Sequence, residues 1–152
     1  MHALLLGALA LLLVSAGIQD ARSREIANWK NAAIMLLAPL WWGANGLFVW
    51  PDMAAQIGLA FLVFALFAGA FAMGWMGGGD VKMIGALALW FPLTSLIWML
   101  VVMSLLGGAL TLVLLAEQAI RRKAGAIEIP YGVAIAIAAL MSLREPFFNQ
   151  FL

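Results

Sequence analysis

Apolar and polar positions alternate in long blocks along this chain, not at the residue-by-residue periods of strands or amphipathic helices. A first apolar block runs from about Ala3 to Ile18 and gives way to a polar stretch reaching about Asn31. A second covers Ala32 to Trp50, and Pro51-Asp52 then supplies a short turn. Ile57 to Met76 forms a third block, and a fourth, shorter one follows from Val81 to Phe91. Pro92 favours an end there, because it lacks a backbone donor and restricts the residue before it. Thr94 to Ala116 makes a fifth block, and the polar Glu117 to Ile129 separates it from a sixth that runs from Pro130 to about Leu143. Blocks of about 20 apolar residues suit helices that cross a bilayer. The fourth and sixth fall short of that length and must use their flanks or be partly re-entrant. The pattern predicts an all-α integral membrane protein, a bundle of about six transmembrane helices.

Composition supports that class. Of 152 residues, 66% are hydrophobic and only 10% charged, too little polar surface to cover a soluble domain. Six crossings use nearly the whole length, so residues 1–152 are expected to form a single membrane-embedded domain with its functional groups in the bundle or at its rim. With no cysteine and a single histidine, His2, the chain offers no thiolate nucleophile, disulfide, zinc–thiolate site or histidine triad. No metal, cofactor or nucleic-acid partner is expected.

The placement of charge sets an orientation. Arg22, Arg24, Lys30, Lys82, Arg121, Arg122 and Lys123 fall on one side of the six-span arrangement, and only Arg144 falls on the other. By the positive-inside rule the basic side is cytoplasmic and the N-terminus lies outside. The start of the chain has some character of a signal peptide, with Val14-Ser15-Ala16 after an apolar run. Basic residues follow that run instead of preceding it, which favours an uncleaved helix.

Chemistry concentrates in two places. Gly77-Gly78-Gly79-Asp80 lies between the third and fourth blocks, and Asp20 follows the first. A carboxylate is expensive near the apolar phase of a membrane, so a purely structural role is a poor reason to keep one there. In the six-span arrangement Asp20 and Asp80 share the cytoplasmic side, a suitable arrangement for an acid/base pair. The glycines would let an extended peptide lay its backbone close to the acids. Alternatively, Gly74 and Gly78 form a small-xxx-small pair for helix packing. Lys82 lies off the face of Asp80 on a regular helix. It reads either as a snorkelling basic residue or as a group that tunes the aspartate or binds substrate. Trp41, Trp42, Trp50, Trp75, Trp90 and Trp98 read as interfacial or packing aromatics. Asn45 reads as a helix–helix hydrogen-bonding or interfacial residue, Arg121-Arg122-Lys123 as a topology anchor, and Glu25, Glu117 and Glu128 as loop charges that could also meet a basic peptide.

Three blocks of residues together resemble the type IV prepilin peptidases of the short Flp/Tad type, in the GxGD class of intramembrane aspartic proteases. The first block is Gly77-Gly78-Gly79-Asp80-Val81-Lys82, similar to that family's GxGDxK. The second is Asp20 followed by basic residues and Ile26-Ala27-Asn28, where the family usually has Ile-Pro-Asn. The third, Ile129-Pro130-Tyr131-Gly132, is similar to its IPFG-like motif at the start of the last helix. Ala27 in place of proline is a departure that bears on the turn after Asp20. The resemblance implies an endopeptidase of the bacterial inner membrane that removes the leader of prepilins at the cytoplasmic face. Asp20 and Asp80 would then be the catalytic pair, and Gly77, Gly78, Gly79 and Lys82 would shape the site or bind substrate. Longer members of that family carry a cytoplasmic methyltransferase domain, to which nothing here corresponds. The alternative from another class is a small proton- or ion-coupled transporter subunit with Asp20 and Asp80 as a proton relay.

Overall fold

A computed structural model of the chain describes residues 1–121 and 129–144. Among these residues the regular structure is helical: α1 (His2–Ser23), α2 (Asn28–Ala44), α3 (Ala54–Ala72), α4 (Gly78–Ala88), α5 (Leu93–Arg121) and α6 (Tyr131–Ser142), with a π-helical turn over Val49–Met53 leading into α3. The helices run up and down. The starts of α2, α4 and α6 meet the ends of α1 and α3 at one end of the bundle. At the other, the end of α2 and the starts of α3 and α5 come together around Asn45, Asp52 and Pro92.

Three helical stretches are long and apolar enough to cross a bilayer: His2–Ser23, Val49–Ala72 and Leu93–Arg121. Their partners α2, α4 and α6 have 17, 11 and 12 residues. The shortness expected of the fourth and sixth segments is therefore observed. The second is shorter than its apolar block, because the helix ends at Ala44 and residues 45–48 turn away. In the other direction, α1 continues past the apolar block to Ser23 and stops where Arg24 adopts a left-handed conformation, its N–H donating to the Asp20 carbonyl. Hydropathy registers which solvent a segment prefers, and a helix can continue beyond that preference.

A short helix needs special provision. At 1.5 Å per residue α4 is about 16 Å long, roughly half the apolar thickness of a bilayer. Its last residues end buried within the bundle, where an unsatisfied carbonyl is costly. Side chains from neighbouring helices supply the missing donors. Gln56 Nε2 of α3 donates to the Ala88 and Phe91 carbonyls at 2.7 and 2.6 Å, and Trp42 Nε1 of α2 donates to the Leu89 carbonyl at 2.7 Å. Trp90, just beyond the helix, donates from Nε1 to the Ile34 carbonyl at 2.8 Å and stacks on Trp41 with ring centroids 5.7 Å apart. Trp41, Trp42 and Trp90 are thus packing residues, while Trp50, Trp75 and Trp98 are exposed. Of the two readings of Asn45 the helix–helix bridge is not seen: its Nδ2 donates to the Trp41 carbonyl, and it lies past the end of α2 at one end of the bundle.

The core lies around α4, whose Met83, Ile84, Leu87 and Ala88 are fully buried against Leu9, Leu13 and Ile34. Helix α6 packs closely because most of its buried residues are small, Gly132, Ala134, Ala136, Ala138 and Ala139 beside the larger Ile135, and small residues let membrane helices approach. By contrast α3 buries only Gln56, Ala60 and Val63 and leaves Phe61, Leu62 and Leu66 exposed, as expected of a face turned to lipid.

Candidate active site

Asp20 and Asp80 come together. Each is nearly buried, at 4% and 8% exposure, and both line two adjoining cavities of about 410 and 310 Å³ at the end of the bundle where α4 and α6 begin. The expectation that the two acids share one end of the bundle therefore holds.

Asp80 is the third residue of α4. Gly77 is the extended N-cap, with φ −73° and ψ 145°, and the Asp80 carboxylate folds back beside it. This is the placement of a capping-box acid, in the first turn and next to the backbone donor that precedes the helix. It also directs the carboxylate to the inner face, alongside Met83, Ile84 and Leu87, all buried. The close approach needs a small residue, since a Cβ on Gly77 would lie 3.1 Å from Asp80 Oδ2. Gly79 has a similar reason: its Cβ would meet the Ile26 Cβ at 3.3 Å and the Ile26 backbone nitrogen at 3.5 Å. The start of α4 thus rests directly on the strap that joins α1 to α2.

Asp20 lies in the last turn of α1, on the buried stripe Leu5, Leu9, Leu13, Ala16, Asp20. The stripe has the three- and four-residue spacing of one helix face. The carboxylate caps a different helix. Val133 N–H donates to Asp20 Oδ2 at 3.2 Å and shares its proton with the Pro130 carbonyl at 3.2 Å. This donor belongs to the first turn of α6, where N–H groups lack the i−4 carbonyls that serve the rest of a helix. Arg24, one turn further along, also acts on this carboxylate and lines both cavities. The positive ends of two helices therefore converge on the pair, α4 through Asp80 and α6 through Asp20.

Gly132 is the functional residue that the sequence reading quoted in a motif but did not place in the site. A Cβ there would lie 2.8 Å from Asp20 Cγ and Oδ2 and 2.8 Å from Ile26 Cδ1. No other residue leaves room for the carboxylate under the first turn of α6. The signal available was its position two residues past Pro130, in the first turn of a predicted helix.

Other expected residues stand apart from the pair. Lys82 is exposed, and its Nζ donates to Asn28 Oδ1 at 2.8 Å. With Gly85, Ala86 and Leu89 it lines a groove of about 420 Å³ between α2 and α3, on the face of α4 away from Asp80. Gly74 and Gly78 do not form a helix-packing pair. Gly74 has φ +75° in the turn after α3 with open space about it, and Gly78 begins α4 beside Phe71. Glu25 borders both cavities of the pair. Glu117 pairs with Arg121 at 2.9 Å on an exposed face of α5. Arg122, Lys123 and Glu128 lie outside the described residues. Among the described residues, no group of three or more His, Cys, Asp or Glu could hold a metal ion.

Comparison with known proteins gives one match. The family model of the Type IV leader peptidase family matches residues 7–112, a span that contains Asp20, the glycine run, Asp80 and Lys82. No curated protein and no solved structure matches the chain.

Proposed function

The chain belongs to the Type IV leader peptidase family, and from that premise we propose that it is an aspartic endopeptidase that removes the leader of Flp-type prepilins through Asp20 and Asp80. The single observation that carries this reading is the juxtaposition of the two acids. Sixty residues apart in sequence, they border the same two cavities beside two helix N-termini.

Hydrolysis of a peptide by this chain's own residues needs a base for water and a donor for the carbonyl oxygen. Two carboxyls that share one proton supply both. The ionised one takes a proton from the water as it attacks, and the protonated one donates to the developing oxyanion. Asp20 is already held by the Val133 N–H of α6, and Asp80 lies against Gly77 at the start of α4. These contacts limit the geometries open to the two acids at the shared cavities, which favours reaction. Because one partner must be ionised and the other protonated, the rate is expected to rise and then fall with pH.

The scissile peptide would lie extended in the cavities that Asp20 and Asp80 share, whose rim includes Gly77, Gly78 and Gly79. Glu25 lies beside the pair and offers a carboxylate to a basic residue of the leader. The basic Arg22, Arg24, Lys30 and Lys82 cluster toward the same end, which favours a cytoplasmic site in the bacterial inner membrane. A proton-relay role in transport has no comparable support, since membership of a peptidase family gives it none.

The test is cleavage of a co-reconstituted Flp-type prepilin by the unmodified protein and by the Asp20→Asn and Asp80→Asn variants, each checked for folding. Cleavage by the first and its loss in both variants is expected. A folded variant that still cuts at near the unmodified rate would refute the two-carboxyl mechanism.

A further inference from the structure

The reaction proposed above needs Asp80 held still at the end of three consecutive glycines, and glycine offers no side chain by which to hold it. Two asparagines of α2 perform that task. Asn31, 4% exposed, donates from Nδ2 to the Gly79 carbonyl at 3.1 Å. One turn earlier, Asn28 Oδ1 accepts from Lys82 Nζ at 2.8 Å. Residues 28 and 31 lie on one face of α2, and residues 79 and 82 on one face of α4, because three-residue steps keep side chains together. The two bonds thus bracket Asp80, one just before it and one just after.

We infer that Asn28, Asn31 and Lys82 are positioning residues, a two-point clasp from α2 that fixes the first turn of α4 and so sets Asp80 against Asp20. This inference rests on the aspartic peptidase reading. It also gives Lys82 a different part from either one expected of it. At 100° per residue, Lys82 points about 200° away from Asp80 around α4. It faces the groove with Gly85, Ala86 and Leu89, while Asp80 faces inward with Met83, Ile84 and Leu87. The ammonium therefore acts on the pair through Asn28 and the helix, not by direct contact.

The condition of Asn31 agrees with this role. Its Oδ1 is buried and has no hydrogen-bond partner among the described residues. A leucine would fill similar space without leaving a polar atom unpaired, so simple packing does not account for an asparagine here. Its Nδ2 bond to the Gly79 carbonyl does.

Two measurements test the clasp. In the first, kcat and KM for prepilin cleavage are compared across Asn31→Leu, Asn28→Ala, Lys82→Met and the Asn28→Ala/Lys82→Met pair. Asn31→Leu is expected to lower kcat by about 10- to 100-fold with KM changed less than about threefold, the mark of a displaced reacting group. The Asn28 and Lys82 variants are expected to lower kcat to a similar degree, and their combination no further than the worse single change. In the second, Asp80→Cys supplies the sole thiol of a chain that has no cysteine. Its alkylation by a neutral maleimide is followed with and without the clasp changes, and Asn31→Leu is expected to alter that rate by at least about threefold. Multiplicative effects at Asn28 and Lys82, losses confined to KM, or an unaltered alkylation rate would each overturn the clasp. If Asn31→Leu does not fold, the pair of exposed residues decides, read by kcat and by alkylation. If the unmodified protein cuts no prepilin, the peptidase reading fails, while alkylation at position 80 still decides the clasp.

Discussion

Replacing Gly132 with alanine adds one methyl group at the point where α6 closes over Asp20. The new Cβ would lie 2.8 Å from both Asp20 Oδ2 and Ile26 Cδ1, whereas ordinary contacts begin near 3.4 Å. The methyl is boxed in on two sides, so either the carboxyl retreats by about 0.6 Å or the first turn of α6 lifts by a similar amount. Overpacking of this kind costs about 1–3 kcal/mol, and the small helix-propensity gain of alanine over glycine offsets less than about 1 kcal/mol of it. A net loss of about 1–2 kcal/mol leaves the protein folded. Activity is more sensitive, because a displacement approaching 1 Å at a reacting group can cost about 100-fold. Prepilin cleavage by Gly132→Ala is therefore expected to fall by about 10- to 100-fold in kcat, with only a modest drop in thermal stability in detergent. Two further glycines calibrate the result. At Gly17 an added Cβ would lie 3.2 Å from Ala136 Cβ, and at Gly108 nothing lies within 4 Å. Gly17→Ala should cost less than about 1 kcal/mol, and Gly108→Ala should keep full activity and gain up to about 1 kcal/mol. Retention of kcat within about twofold in Gly132→Ala, or an equal loss in Gly108→Ala, would refute the argument that Asp20 acts from beneath the first turn of α6.

Other consequences follow from the same contacts. Gln56→Leu removes the donor that serves the Ala88 and Phe91 carbonyls, and with the Ala88 carbonyl left unsatisfied the loss is expected at about 1–3 kcal/mol. Thermal unfolding in detergent measures it, and an unchanged midpoint would show that the end of α4 is hydrated. Trp90→Phe keeps most of the ring packing but removes the bond to the Ile34 carbonyl, so about 1–3 kcal/mol should be lost by the same measurement. Glu117→Ala breaks an ion pair whose two side chains are 50% and 60% exposed, and stability is expected to stay within about 0.5 kcal/mol.

Much of the architecture is legible in the sequence for reasons that are local. A bilayer demands long apolar blocks whatever packs beside them, so the segments and their shortness at α4 and α6 can be read from hydropathy alone. Alternation of up and down crossings then puts Asp20 and Asp80 at the same end. The inward direction of Asp20 was also legible, although block boundaries conceal it, because Leu5, Leu9, Leu13 and Ala16 continue to position 20 along one face. The boundary itself was misread, since polarity after Ile18 marks a change of solvent and not the end of a helix.

The chain by itself determined the membrane class, the order of helices, the common end of the two acids and the motifs that carry the family. Only the tertiary structure decided which backbone groups those acids would hold and what would hold them in turn. Asp20 meets Val133 across 113 positions of sequence, Gln56 reaches the end of α4 across 32, and Asn31 meets Gly79 across 48. The first two exist because a helix end inside the bundle lacks partners of its own, and the third because a side chain of α2 lies beside the first turn of α4. Which side chain serves depends on how the helices pack, and no local pattern of polarity encodes that choice.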